Sequence, residues 1–272
     1  MSETTTIRAS MLSGYVDCPR RAAAKQWRRE IEASGFQLGE QQPSVGAAVG
    51  TAVHSAAAHM LQGKIKNGIL GSVQDGLEIA IKEFRAEVEP GAVWDNTTPN
   101  RSTAEFQIKR LTLSYQQGVA GTIDPAAVEQ AWRCDAGDGF SLSGHCDVIT
   151  KQGVIRDLKT GALPRPHQAQ LGGYSLLARS QNLPVHITGV GVDFIRRTPK
   201  TKPQDPPASE LYDLAVAEKT AWATIQYIKS NMKQFRETSD PWAFMANPIS
   251  MMCTPAYCPA HGTNFCDLGR NH

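Results

Sequence analysis

The chain has few aromatic residues (7% of 272) and a formal net charge of only +2. So small a charge does not by itself announce a nucleic-acid surface. No apolar run approaches the roughly 20 residues that span a bilayer, which argues against a membrane helix. The opening residues, Met1 to Ser10, are polar and lack the basic-then-apolar order of a secretory signal, so the chain reads as cytoplasmic. A G-x-x-x-x-G-K-[ST] loop is missing, so any helicase activity would have to come from a partner. Internal repeats and low-complexity tracts are missing too.

Six cysteines are present. In a reducing compartment they read as metal ligands or packing residues rather than disulfides. Cys134 and Cys146 fall inside apolar strand patterns and read as buried packing residues. The other four are split, with Cys18 near the start and Cys253, Cys258 and Cys266 near the end. Four thiolates suit either a four-iron, four-sulfur (4Fe-4S) cluster or zinc, with His261 a possible substitute zinc ligand.

The first half reads as helical, over 8–31, 47–62, 72–89 and 103–117. From about Ala127 the pattern becomes strand-like, over 128–134, 140–150 and 154–159, with Asp138-Gly139 as a hairpin turn. A helix over 167–180 and a strand over 185–196 follow. A proline-rich connector spans 198–207, and a long helix is expected over 209–236, with Leu211, Leu214, Trp222, Ile225 and Ile228 near helical spacing. This order predicts an α/β fold: a mixed central sheet flanked by helices. It also predicts one domain over 1–272, comprising a helical part (8–120), a sheet core (127–197) and a C-terminal helix with a cysteine-bearing tail (208–272).

The most informative stretch is Asp147 to Gly161. Lys151-Gln152-Gly153 reads as a three-residue hairpin loop with glycine where φ must be positive. Thr150 then pairs with Val154, and Asp147 faces Asp157. Lys159 shares the Asp157 face because side chains alternate with period two. Facing carboxylates repel unless something positive lies between them. Mg2+ or Mn2+ is the natural occupant, held by Asp147, Asp157 and the Leu158 carbonyl. Lys159 would orient a water or stabilise charge on a phosphate. An exposed hairpin with ordinary surface charges would also carry such a triplet. Two basic groups, Arg20–Arg29 and Arg196–Lys202, read as solvated surface or, beside a phosphodiesterase site, as phosphate contacts.

Gly144-His145-Cys146-Asp147 followed by Asp157-Leu158-Lys159-Thr160-Gly161 resembles the G-x-x-D … D-x-K-T-G signature of RecB-like nucleases in the PD-(D/E)XK superfamily. The resemblance implies a restriction-endonuclease-like core, with catalytic roles for Asp147, Asp157 and Lys159. It extends upstream to Gly50-Thr51-Ala52-Val53-His54, where it implies that His54 is a further metal ligand. His59 lies about 140° further around that helix and does not naturally share the metal. Downstream, Gln170-Leu171-Gly172-Gly173-Tyr174 matches the family's Q-x-x-x-Y, implying substrate positioning or site support by Gln170 and Tyr174. Glu129 resembles a recurrent family glutamate. The Cys18-Pro19-Arg20-Arg21 context and the one-plus-three cysteines resemble iron-sulfur members, including AddB-type and CRISPR-associated exonucleases. There a 4Fe-4S cluster clamps the N-terminal helix to the C-terminal tail, although the spacing here is looser than the family's.

The resemblance implies a metal-dependent deoxyribonuclease. It would act as an exonuclease on single-stranded DNA or DNA ends in recombination or repair, in bacteria or their phages, beside a helicase or recombinase partner. The alternative is a non-cleaving DNA-end-binding or regulatory metal-cluster module within a larger recombination complex.

Overall fold

Two hydrophobic clusters form, one on each face of a single sheet. In the computed structural model residues 4–268 are described. The strands are β1 (Thr5–Arg8), β2 (Pro125–Gly137), β3 (Phe140–Thr150), β4 (Val154–Gly161), β5 (Gly189–Arg196) and β6 (Ala208–Tyr212). The helices are α1 (Ala9–Asp17), α2 (Pro19–Gln26), α3 (Arg28–Ala33), α4 (Val45–Asn67), α5 (Val73–Val88), α6 (Arg101–Gly118), α7 (Gln168–Arg179) and α8 (Leu214–Thr238). One face packs on α1, α2, α7 and α8, and the other on α4, α5 and α6. This is the expected mixed α/β architecture.

β3 organises the sheet. β2 pairs along one edge, antiparallel. On the other edge β1 pairs parallel with residues 140–143, and β4 pairs antiparallel with Val148 and Ile149. Between Ser143 and Val148 that edge has no strand partner, and the site forms there. β4 then runs parallel to β5 through the α7 crossover, and β6 closes the sheet antiparallel to β5.

The β3–β4 hairpin has the predicted register. Val148 pairs with Arg156 and Ile149 with Ile155, which sets Asp147 opposite Asp157. Gly153 has φ +80°, and a Cβ there would lie 1.8 Å from His186 O, so glycine is required twice over. On β3, Cys146 joins the first cluster and Val148 the second. Regular pleating would put both on one face, so the pleat is interrupted at Asp147.

Four expectations are corrected. The helix expected over 8–31 is three short helices preceded by a strand. Cys18 is extended (φ −152°, ψ 99°) because Pro19 disfavours helical geometry in the residue before it. The strand expected from Val185 begins at Gly189, since Thr188 is tied to the hairpin loop through Gly153 O and Gln152 O. The helix expected from Ser209 begins at Leu214, capped by Asp213, whose side chain accepts from Val216 N. The residues before it form the edge strand β6, and Leu211, counted into the helical stripe, is 72% exposed. Of the two packing cysteines, Cys146 is buried and Cys134 only half-buried.

The basic groups are also corrected in part. Arg20 and Arg21 are buried, Arg20 donating to Phe244 O and Arg21 to Asp17 and Ser250. Arg197 is buried too, and its guanidinium grips Asp95 with both terminal nitrogens, at 3.2 and 2.7 Å. Arg196, Lys200 and Lys202 remain exposed. Asp95→Ala would leave the Arg197 charge buried without its carboxylate. Urea denaturation is expected to show a loss of about 3 kcal/mol for this variant. Among the described residues no helix is long and apolar enough to cross a membrane.

Candidate active site

His54, Glu129 and Asp147 converge where the β3 edge is open, with one potential ligand atom from each within 4.8 Å of the others. His54 comes from α4, a 23-residue helix whose N-cap, Ser44, accepts from Ala47 N. Gly50, one turn before His54, brings α4 close to β4, since a Cβ there would sit 3.2 Å from Thr160 Oγ1. This packing accounts for the G-x-x-x-H spacing.

Glu129 lies opposite Asp147, between the Val128–Val148 and Gln130–Cys146 pairs of the β2–β3 ladder. Its φ is +54°, rare for a residue with a side chain and costing on the order of 1–3 kcal/mol. That twist accompanies the interrupted pleat and brings the Glu129 carboxylate beside Asp147 and His54. His145 Nε2 lies 3.1 Å from Glu129 Oε2.

Asp147 Oδ2 accepts from Leu158 N at 2.8 Å and stands 3.2 Å from His54 Nδ1. The Leu158 amide thus serves Asp147 where the strands part. Burial opposes protonation of His54, but the neighbouring Asp147 carboxylate outweighs it and raises the His54 pKa. Burial likewise opposes ionisation of Asp147, but His54, Lys159 and the Leu158 amide more than offset it and hold the carboxyl below its ordinary value.

Asp157 is 1% exposed. Burial, reinforced by the Asp147 charge and only partly countered by Lys159, pushes its pKa up to about 6. Lys159 Nζ is 2.6 Å from Asp157 Oδ2, but the contact is not aligned as a hydrogen bond, so that buried oxygen keeps an unfilled acceptor direction. An under-satisfied buried carboxylate beside three convergent ligand residues suits a hard divalent cation.

Gln170 Nε2 donates to Tyr174 Oη at 2.8 Å and reaches Asp157 Oδ1 at 3.5 Å. Both side chains are buried, so they touch the site through Asp157 and not through the open cavity. That cavity, about 660 Å³, is lined by His54, Glu129, His145, Asp147 and Lys159, with the Gly46–Thr51 turns of α4 as one wall. His59 also lines it but stands outside the convergent trio. Sequence reasoning did not pick out His145, and the alternating pattern of β3 gave no signal for its contact with Glu129.

A second cluster lies at the α1–α2 break. Cys18, Cys253, Cys258 and Cys266 line one small cavity together with His261. Burial pushes the Cys258 thiol up to about 11, with the other three thiols adding to the rise. Polar contacts bind the same two ends of the chain, Asn247 Nδ2 donating to Asp17 O and Ser250 Oγ to Asp17 Oδ2. Among the described residues no three of these sulfurs fall within 4.8 Å of one another.

Comparison with known proteins completes the picture. An inferred exonuclease from Eubacterium rectale superposes with a TM-score of 0.56 at 10% identity, over 92% of this chain and 87% of its own. That similarity is one of fold. The alkaline exonuclease of Laribacter hongkongensis aligns over 69% of this chain and 91% of its own at 12% identity, with a TM-score of 0.31, too low to carry argument. Among curated proteins none matches the sequence. The pattern of the PD-(D/E)XK nuclease superfamily matches residues 7–263, nearly the whole chain and every strand and carboxylate of the site. With that match, the interrupted hairpin and its acidic cluster place the chain in the PD-(D/E)XK nuclease superfamily.

Proposed function

We propose that the protein is a metal-dependent DNA exonuclease acting on single-stranded DNA or DNA ends in recombination or repair, with 1–272 working as one nuclease domain. The observation that carries this reading is the convergence of His54, Glu129 and Asp147 beside the buried Asp157–Lys159 pair. His54, Glu129, Asp147 and Asp157 would hold Mg2+ or Mn2+, joined by the Leu158 carbonyl. When bound, such an ion supplies an activated water and neutralises charge on the phosphate. Lys159 positions the attacking water and steadies the charge that builds on the phosphate. Gln170 and Tyr174 fix the Asp157 rotamer.

The mixed imidazole and carboxylate set favours Mn2+ over Mg2+. Isothermal titration of the metal-free protein is therefore expected to give a lower Kd for Mn2+. The decisive assay is a time course with Mn2+ on end-labelled single-stranded DNA, duplex DNA and RNA. Mononucleotides released from DNA ends, with RNA untouched, are expected. DNA binding without cleavage would instead identify a non-cleaving end-binding module acting with a helicase or recombinase.

The four cysteines fit a 4Fe-4S cluster clamping the chain ends. A single tetrahedral zinc, with bonds of about 2.3 Å, is the alternative occupant, with His261 a possible further ligand. Anaerobic purification is expected to yield a brown protein with iron and sulfide near four per chain. A colourless protein free of iron would contradict the cluster.

A further inference from the structure

Behind the proposed metal ligands lies a second, small cavity of about 10 Å³, room for about one water. It is bounded by the site residues His54, Glu129 and Asp147 and by Tyr115, Arg156 and Asp193. Tyr115, from α6, is 2% exposed. It lines this cavity together with Asp193, Asp147, Arg156 and Glu129. A tyrosine hydroxyl carries a proton that it can donate. A hydroxyl facing such a space with no partner would cost on the order of 1–3 kcal/mol, which a water held in the cavity would avoid.

Arg156 has a donor to spare. Its Nε and Nη2 are committed to Asp193, and Nη2 also to Ser209, while Ser209 Oγ donates to Asp193 at 2.6 Å. Nη1 is uncommitted. Asp147 Oδ2 is taken by Leu158 N and His54, which leaves Oδ1 as a free acceptor. Two donors and two carboxylates around a one-water space match the two to four polar partners that a buried water needs.

We propose that this cavity holds one ordered water, which accepts from Tyr115 Oη and Arg156 Nη1 and donates to the carboxylates of Asp147 and Glu129. Tyr115 and Arg156 are then positioning residues for the metal ligands. This rests on the metal-site reading above. The bridge fixes both carboxylates from behind, so that their outward oxygens are set for the cation before it arrives. Partners of this outer kind typically change metal affinity by 10- to 100-fold when removed.

The test is titration of metal-free protein with Mn2+ alone. Tyr115→Phe is expected to raise the Kd about 10-fold, with the thermal midpoint near wild type and cleavage recovered at saturating Mn2+. Arg156→Lys keeps a charge for Asp193 but withdraws Nη1, and is expected to move the Kd in the same direction. A crystal structure of the wild-type protein is expected to show the water within hydrogen-bond distance of Tyr115 Oη. Unchanged affinity in both variants would overturn the bridge, as would a crystal structure without that water. Asp147→Asn separates the two readings. If it loses Mn2+ binding while Tyr115→Phe and Arg156→Lys both bind Mn2+ as tightly as wild type, the bridge alone fails. If it binds Mn2+ like wild type, the metal site itself is wrong and the bridge falls with it.

Discussion

Alanine at position 159 is expected to lower kcat for DNA cleavage by about 10³-fold while leaving the fold and DNA binding in place. Lys159 pairs with the buried Asp157, at 2.6 Å, and lines the open cavity. A preorganised positive group in a partly dry site acts on charge that develops in the transition state, and its removal falls mainly on kcat. Folding tolerates the loss because Asp157 can take up a proton, its carboxyl already being raised to about 6 by burial. DNA binding persists because strand contacts depend on the wider cavity and not on this one group. Single-turnover cleavage and fluorescence anisotropy on the same preparation separate the two effects.

The second large effect concerns the fold. Gly172→Ala is expected to destabilise the protein by about 3 kcal/mol, read as a lower urea midpoint with an unchanged slope. A Cβ at Gly172 would lie 1.9 Å from Ala217 O and 2.4 Å from Ala217 C, both backbone atoms of α8. No rotamer change relieves that contact, so α7 and α8 must move apart. In an exposed helix the same exchange would gain about 1 kcal/mol of helix propensity, so the sign of the result distinguishes packing from propensity. Because α7 also carries Gln170 and Tyr174, the displacement is expected to loosen Asp157 and lower the rate of the folded fraction.

The hairpin was legible because it is local. Loop length, Gly153 and alternation determine which residues face each other, and no distant contact enters. His54, Gln170 and Tyr174 were legible only through the family pattern, since each reaches the site through helix packing that spacing alone does not encode. Glu129 lay further out of reach. Its place depends on a left-handed backbone at a residue with a side chain, a conformation stabilised by the surrounding sheet and not by its own preference. The buried arginines misled for a related reason. Arg20 and Arg21 read as surface charge, but Phe244 O and Ser250 Oγ, which help to bury them, lie more than 220 residues along the chain. The false start of the last helix arose because Leu211 fits a helical stripe, while pairing with β5 and the Asp213 cap outweigh that local pattern.

The four cysteines and the carboxylate site sit at different places in the fold, and they can be tested apart. The cysteine cavity joins the α1–α2 break to the C-terminal tail, whereas the proposed metal ligands come from α4, β2, β3 and β4. Loss of the cluster is therefore expected to lower stability and not to change the chemistry of the remaining folded protein. Cys258→Ser, assayed at a temperature where it stays folded, is expected to keep Mn2+-dependent cleavage.

The measurement to make first is cleavage of 5′-end-labelled single-stranded DNA by wild-type protein and Asp147→Asn, each with Mn2+ and with excess EDTA. Cleavage by the wild type in Mn2+ only, and by the variant in neither condition, is the predicted result. Cleavage that survives EDTA, or an Asp147→Asn variant as active as wild type, would contradict a metal-dependent nuclease centred on this hairpin.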